Sequence, residues 1–408
     1  MLFLSVLLRP CLPLTLLVAL LLPCNPATAA AEPQVRVLVD EGFALRVVPA
    51  QGRLLLQDGQ GRTIGSSDAG LTLRAGASGL EGIDGLAPLA ELWISPESPD
   101  GTLWLQQRRY RGRLQLRLNQ GRLQAINRLG VESYLPSVVG SEMPSQWPLE
   151  ALKVQSVAAR TYALRQLRPD ASFDLRATVS SQVYKGVESE TDSTRAAVSS
   201  TRPLVLTYDR RLIDSVFFSS SGGQTENSGE VWPRQMPYLK SVPDFDQASP
   251  VYRWTKPFDA AALASAFQEI GGADSIEPLD TTSTGRLRKV LVHGPGGDLQ
   301  LEASELRQRL GLRSTFVQFQ QPSPAENPLE QVGEWLGLTP RLIAVGRGYG
   351  HGVGMSQWGA YGMSQRGEGF ASILRHYYLG TNLEPYAASA VAAALQPGPP
   401  WPKAPPAP

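Results

Sequence analysis

Cysteine is nearly absent from this 408-residue chain: the only two, Cys11 and Cys24, lie within the first 25 residues. An apolar run from Cys11 to Pro23 leads into Ala27-Thr28-Ala29, the hydrophobic core and small-residue cleavage pattern of a secretory signal, so residues 1–30 are expected to be removed near Ala29 or Ala30. The n-region has a single charge, Arg9, and an uncleaved segment would instead tether the chain to a membrane. A lipid anchor on Cys24 is disfavoured by Pro23, which stands where a small residue should precede the lipid-carrying cysteine. The mature chain then holds no cysteine, which excludes disulfides and thiolate metal sites. Long runs of one charge are also missing. With 38 basic against 37 acidic residues, a net of +1, nothing tracks a nucleic-acid backbone, and nucleic acid is not an expected partner.

A hydrophobic content of 42% is enough for a large folded core and excludes a wholly disordered chain. From Gln34 to about Arg128, short alternating runs such as Val35-Arg36-Val37-Leu38-Val39, Leu71-Thr72-Leu73-Arg74 and Leu114-Gln115-Leu116-Arg117-Leu118 are separated by Gly-rich turns and read as strands. Between residues 75 and 90 the density of glycine and alanine predicts a loose loop or a poorly paired edge strand. The pattern turns helical from Pro148 to Leu167, where Pro148 suits a first turn and apolar residues cover most of the circumference. Lys153, Ser156 and Arg160 form one polar stripe on that helix, facing either a cleft or solvent. Strands are expected at Val179–Tyr184, Leu204–Phe218 and Lys289–Val292, and helices at Phe258–Ile270 and Ala303–Leu310. The stretch from about residue 252 to 338 reads as an inserted subdomain without candidate chemistry. The end, from residue 386, is rich in alanine and proline and cannot form a packed core.

Three separated stretches carry small and polar residues that a fold alone does not require. The first, residues 127–148, contains Glu142 in a turn between Gly140-Ser141 and Met143-Pro144; covered by Met143 or Trp147, its carboxyl would have a raised pKa, as a general acid needs. A glutamate that holds the turn through backbone hydrogen bonds is the alternative. The second stretch, Phe217-Phe218-Ser219-Ser220-Ser221-Gly222-Gly223-Gln224-Thr225-Glu226-Asn227 followed by Trp232, offers hydroxyls and amides beside an aromatic, equipment for holding sugars or simply a polar hairpin loop. The third, Gly346 to Ala360, has glycine at five alternate positions through Gly354, which implies close approach of backbone to a ligand or to another strand. No Lys-Ser/Thr comes after it, so a phosphate loop does not fit. His351 there is either structural or in contact with substrate.

In this order the stretches resemble the SpoIID/LytB family, the stage II sporulation protein D and amidase-enhancer group. The marks are Leu129 to Leu135, Ser141-Glu142-Met143-Pro144, Trp147-Pro148-Leu149-Glu150-Ala151-Leu152-Lys153, Val157 to Ala163, Ser181-Gln182-Val183-Tyr184-Lys185-Gly186, Ser219 to Thr225, Pro237-Tyr238-Leu239, Leu306-Arg307 with Leu310-Gly311-Leu312, and Gly348 to Ala360. The resemblance covers residues 110–385 and implies an α+β protein: a β-rich region at 31–109, then a mixed α/β module interrupted by the insert. It implies lytic transglycosylation of peptidoglycan glycan strands, in at least some members on strands stripped of stem peptides. The family's catalytic glutamate corresponds to Glu142, which would act without a cofactor or a second carboxylate. Lys153, Arg160, Gln182, Tyr184, Ser219, Ser220, Ser221, Gln224, Thr225, His351, Ser356 and Gln357 are the expected substrate-binding residues. The amidase-enhancer branch implies an alternative in which the chain binds glycan without cleaving it and modulates a separate cell-wall amidase. Some members hold a structural zinc with histidine and cysteine around the Ser-Gly-Gly segment, but here those positions are Phe218, Ser221 and Gln224, so no metal is expected.

Overall fold

Alternation of apolar and polar residues sets the first strand. Val35 and Val37 are buried while Arg36, between them, is half-buried and paired with Asp174, and the strand runs Gln34–Gly42 (β1). A computed structural model describes residues 32–322 and 340–386 of the chain. The expected leader, the end of the insert at 323–338 and the Pro/Ala-rich tail lie outside the described residues. β1 pairs antiparallel with Arg122–Gly130 (β3), which pairs in turn with Arg113–Asn119 (β2). These form the centre of a seven-stranded sheet that Glu91–Pro96, Leu54–Asp58 and Thr63–Ser67 extend on one side. On the other side β1 pairs in parallel with Leu175–Arg176. A second sheet has five strands, among them Ala44–Pro49, Leu71–Ala75 and Thr102–Leu105, with the two-residue strand Leu80–Glu81 at its edge, in the glycine-rich stretch where poor pairing is expected.

One apolar core joins these sheets to the helices downstream of them: Leu45, Leu73 and Leu103 belong to the same buried cluster as Val35, Leu116, Leu135 and Val157. The boundary expected between residues 109 and 110 falls inside the strand Arg108–Arg111, and the β-rich region shares its core with the α/β module.

One helix carries most of the first candidate stretch, and a second follows it directly. Val131–Glu142 (α1) is a helix where a turn around Glu142 is expected, and it includes Pro136 and Gly140. Both are accommodated within the helix; a Cβ on Gly140 would fall 1.9 Å from the carbonyl oxygen of Ser189, so glycine permits close approach of the turn Gly186–Ser189. Leu149–Arg165 (α2) matches the predicted helix, with Ala151, Ala158, Ala159 and Ala163 fully buried. The segment Val179–Tyr184 is irregular rather than a strand. It is fixed by side chains instead of a ladder: Gln182 donates to the carbonyl of Ala159 at 3.2 Å and the Tyr184 hydroxyl donates to Asn127 at 2.8 Å.

The insert has its own core, built from Trp254, Phe258, Phe267, Val290, Leu306 and Ala344 among others. Arg253–Phe258 pairs antiparallel with Leu342–Arg347. The helix predicted from Phe258 is shorter, Ala260–Ala266, capped by the Asp259 side chain, which accepts from the Ala262 amide at 2.7 Å. Helix Ala303–Leu310 occurs as predicted. Among the described residues no helix is long and apolar enough to cross a membrane.

Candidate active site

Glu142 is the last residue of α1, not part of a free turn, with Met143 as the C-cap. At that end the unpaired carbonyls point outward, and their negative partial charge disfavours an ionised carboxylate. The side chain is half-buried. Its Oε1 accepts the Val183 amide at 2.8 Å and its Oε2 accepts the Gln357 side-chain amide at 3.4 Å. Burial raises the pKa above the usual glutamate range, against the opposing pull of the two hydrogen bonds and the Lys185 ammonium. The carboxyl is thus clasped by neutral donors. Gln357→Ala should move the basic limb of any Glu142-dependent rate to higher pH, because a bond that favours the ionised form is lost; a pH–rate profile unchanged by the substitution would show that the 3.4 Å contact carries no weight.

The second and third stretches meet directly. Phe217–Phe218 (β4) pairs in parallel with Met355–Ser356 (β5), and Ser220 exchanges backbone hydrogen bonds with Tyr349. Two of the alternating glycines, Gly348 and Gly354, serve this meeting of backbones, while Gly346, Gly350 and Gly352 lie against the side chains of Trp254, Phe218 and Arg286. Gly354 has φ +78°, and a Cβ there would lie 2.3 Å from the Val216 carbonyl oxygen; at Gly348, φ +69°, it would lie 2.5 Å from that of Ser220. Ser356 caps the helix Gln357–Gln365 (α3), its hydroxyl accepting from the Gly359 amide at 3.1 Å, and the Trp358 amide donates to the Ser219 carbonyl at 3.0 Å. Through this cap Gln357 is delivered to Glu142, so all three stretches are linked at one place.

Several of the residues expected to bind substrate are buried and hydrogen-bonded within the fold. Arg160 is 0% exposed and grips Glu132 in a bidentate pair, Nε to Oε1 at 2.9 Å and Nη2 to Oε2 at 2.8 Å, while also donating to the carbonyls of Val198, Thr201 and Leu204. The polar stripe therefore faces the interior at Arg160 and at Ser156, whose hydroxyl donates to the Leu152 carbonyl. Lys153 pairs instead with Glu150 at 2.7 Å. Gln182 and Tyr184 are buried, and their contacts hold the segment that presents the Val183 amide. Ser220 donates to Asp246 at 2.5 Å, the Ser221 hydroxyl accepts from the Gly223 amide at 3.0 Å, and Thr225 bonds Val242. These three are buried, as is Ser356. Gln224 is exposed and donates to Ser241 at 2.9 Å; Ser219 is half-buried.

His351 is held as a neutral ring. The Val353 amide donates to Nδ1 at 3.1 Å, which leaves the proton on Nε2, 3.2 Å from the Phe217 carbonyl. Burial depresses its pKa to about 4, and Phe218 and Trp232 flank it with ring centroids 5.3 and 5.2 Å away. Phe218 packing and the Ser221 and Gln224 hydrogen bonds fix the loop, and a phenyl, a hydroxyl and an exposed amide do not suit zinc.

The insert, which reads in sequence as free of chemistry, supplies Arg286. This buried guanidinium donates to the carbonyls of Ser221 and Gln224, both at 2.9 Å, and pairs at 3.5 Å with Glu226, itself 0% exposed. Thr282 and Thr284 also donate to Glu226. Behind the same loop sit Asp244 and Asp246, buried; the pKa of Asp244 is raised by burial and then by the neighbouring Asp246. Glu226 stands within the second stretch, but pairing over 60 positions leaves no local signal for Arg286.

The sequence model of the family described as "Stage II sporulation protein" matches residues 119–208, which span α1, α2 and Glu142. Stage II sporulation protein D of Bacillus subtilis (strain 168) is 32% identical over 280 residues, covering 64% of this chain and 76% of that protein. The protein of the same name from Bacillus amyloliquefaciens is 31% identical over 279 residues, covering 64% and 75%. The amidase enhancer of Bacillus subtilis (strain 168) is 31% identical over 307 residues, but the match covers 40% of that longer protein against 62% of this one. On the strength of these matches the chain belongs to the SpoIID family, the family of stage II sporulation protein D.

Proposed function

We propose that this protein is exported to the cell wall and cleaves peptidoglycan glycan strands as a lytic transglycosylase, with Glu142 as both acid and base. The observation that carries the reading is the state of Glu142: half-buried, at a helix C-terminus, bonded to two neutral donors and with its pKa raised. Such a carboxyl can keep its proton and give it to the bridging oxygen after N-acetylmuramic acid as the C1–O bond breaks. The resulting carboxylate then takes the proton from the C6 hydroxyl of the same sugar as O6 bonds to C1, which closes a 1,6-anhydro ring and restores the acid. No water is consumed, so the carboxylate pair of hydrolytic glycosidases is not required.

Export is supported by the apolar run and small-residue pattern of residues 11–29. Similarity to a protein named amidase enhancer favours a second reading, in which the chain binds glycan and modulates a cell-wall amidase. Incubation of the full chain with purified sacculi, then mass spectrometry of the soluble products, separates the two. Anhydro-ended sugars or muropeptides are the expected result, and their absence while sacculi are still bound would replace the enzyme by the enhancer.

A further inference from the structure

The turn at 282–286 joins two paired strands of the insert, Ser275–Thr281 and Leu287–Gly294, and docks on the Ser-Gly-Gly loop. Thr282 and Thr284 donate to Glu226, and Ser283 donates to Glu230 at 2.6 Å and accepts from Asn227 at 3.2 Å. Arg286 goes deepest: it is 2% exposed and holds the carbonyls of Ser221 and Gln224. It also occupies the space that a side chain at Gly352 would need, since a Cβ there would lie 2.9 Å from its Nε. The Glu226 amide donates to the Gly352 carbonyl at 2.7 Å, and among the described residues Arg286 is the one ion-pair partner of Glu226. One guanidinium from the insert thus ties the second stretch to the third.

From this tie hydrogen bonds lead to the acid. The Val216 carbonyl accepts the Met355 amide at 3.2 Å, and the Ser219 carbonyl accepts the Trp358 amide at 3.0 Å. The start of α3 therefore hangs on backbone just ahead of the two carbonyls that Arg286 holds. From that first turn Gln357 reaches Glu142 at 3.4 Å. We propose that Arg286 is a positioning residue for Glu142: by fixing the loop at Ser221 and Gln224 it sets the first turn of α3 and with it the bond from Gln357. The insert is then a brace for the acid. Its effect on rate rests on the reading of Glu142 given above; its effect on structure does not.

Two substitutions in the full chain test this. Arg286→Lys keeps a charge beside Glu226 but loses the fork that spans two carbonyls. Thr284→Val is milder and removes a hydroxyl that accepts from Arg286 at 2.9 Å and donates to Glu226. Hydrogen exchange read by mass spectrometry should quicken about tenfold in Arg286→Lys for peptides covering residues 219–227 and 353–359, and stay unchanged in α2. Release of anhydro-ended products should fall about tenfold to a hundredfold, the scale of a 1 Å misplacement. The basic limb of the pH–rate profile should move to higher pH, as for Gln357→Ala; Lys185 and Tyr134, the other ionisable groups that act on Glu142, are left in place. Combining Arg286→Lys with Gln357→Ala should move that limb no further than Gln357→Ala alone, because both changes remove the same bond. Thr284→Val should act in the same directions to a smaller extent. Unchanged exchange at 353–359, faster exchange throughout the chain, or limb shifts that add overturns the proposal. Should the unsubstituted protein cleave nothing, the enzyme reading falls, and exchange at 353–359 still decides whether Arg286 holds the start of α3.

Discussion

Glu142→Gln is expected to reduce release of anhydro-ended products from sacculi by about 100- to 10,000-fold, the range spanned by a positioned acid–base group. The fold should survive the change. A glutamine carbonyl still accepts the Val183 amide, and Gln357 can turn its own carbonyl toward the new amide group. Stability should even rise at neutral pH. A carboxyl whose pKa is higher folded than unfolded contributes stability that is fully present below its unfolded value of about 4.5 and is lost as pH rises through the folded value. The melting temperature of the unsubstituted protein should therefore fall relative to the glutamine variant as pH rises through that window. Retained cleavage by the variant would remove Glu142 from the chemistry, and melting curves that stay parallel at every pH would remove the raised pKa.

The largest loss of stability is expected at Arg160. Arg160→Ala would leave Glu132 and the carbonyls of Val198, Thr201 and Leu204 without their donor, in a place where the side chain is fully buried. Breaking a buried pair from one side costs about 3–5 kcal/mol. Lysine should rescue little, since a point charge cannot reproduce the bidentate grip and the bonds to carbonyls. Urea unfolding measures this directly. A loss below about 1 kcal/mol, or a variant that folds normally and fails only in glycan binding, would return Arg160 to the substrate site.

Local patterns carry part of this architecture and tertiary contacts the rest. The helix at 149–165 is legible because its apolar residues wrap most of the circumference and no breaker interrupts it. Glu142 stands out by its small and proline neighbours. Its helix does not, because Pro136 and Gly140 mimic a stop while tertiary contacts keep the turns in place. Periodicity places Lys153, Ser156 and Arg160 on one stripe but cannot tell a wet groove from an interior lined with carbonyls. The alternating glycines signal close approach; the neighbour is the chain's own backbone at Ser220 and Val216 for Gly348 and Gly354, and side chains of Trp254, Phe218 and Arg286 for Gly346, Gly350 and Gly352. Arg286 is hidden by distance along the chain. Its partners are fixed by how the insert folds back, and nothing local marks it.

The position of β1 bears on how this protein can be shortened. With one neighbour at 122–130 and the other at 175–176, that strand fills the middle of a ladder that later segments complete. Expressing only residues 110–385 would strip two edges bare at once and uncover the apolar side of Leu116 and Ala125, inviting self-association rather than yielding a minimal catalytic fragment. The practical starting point for a trimmed chain lies upstream of Gln34.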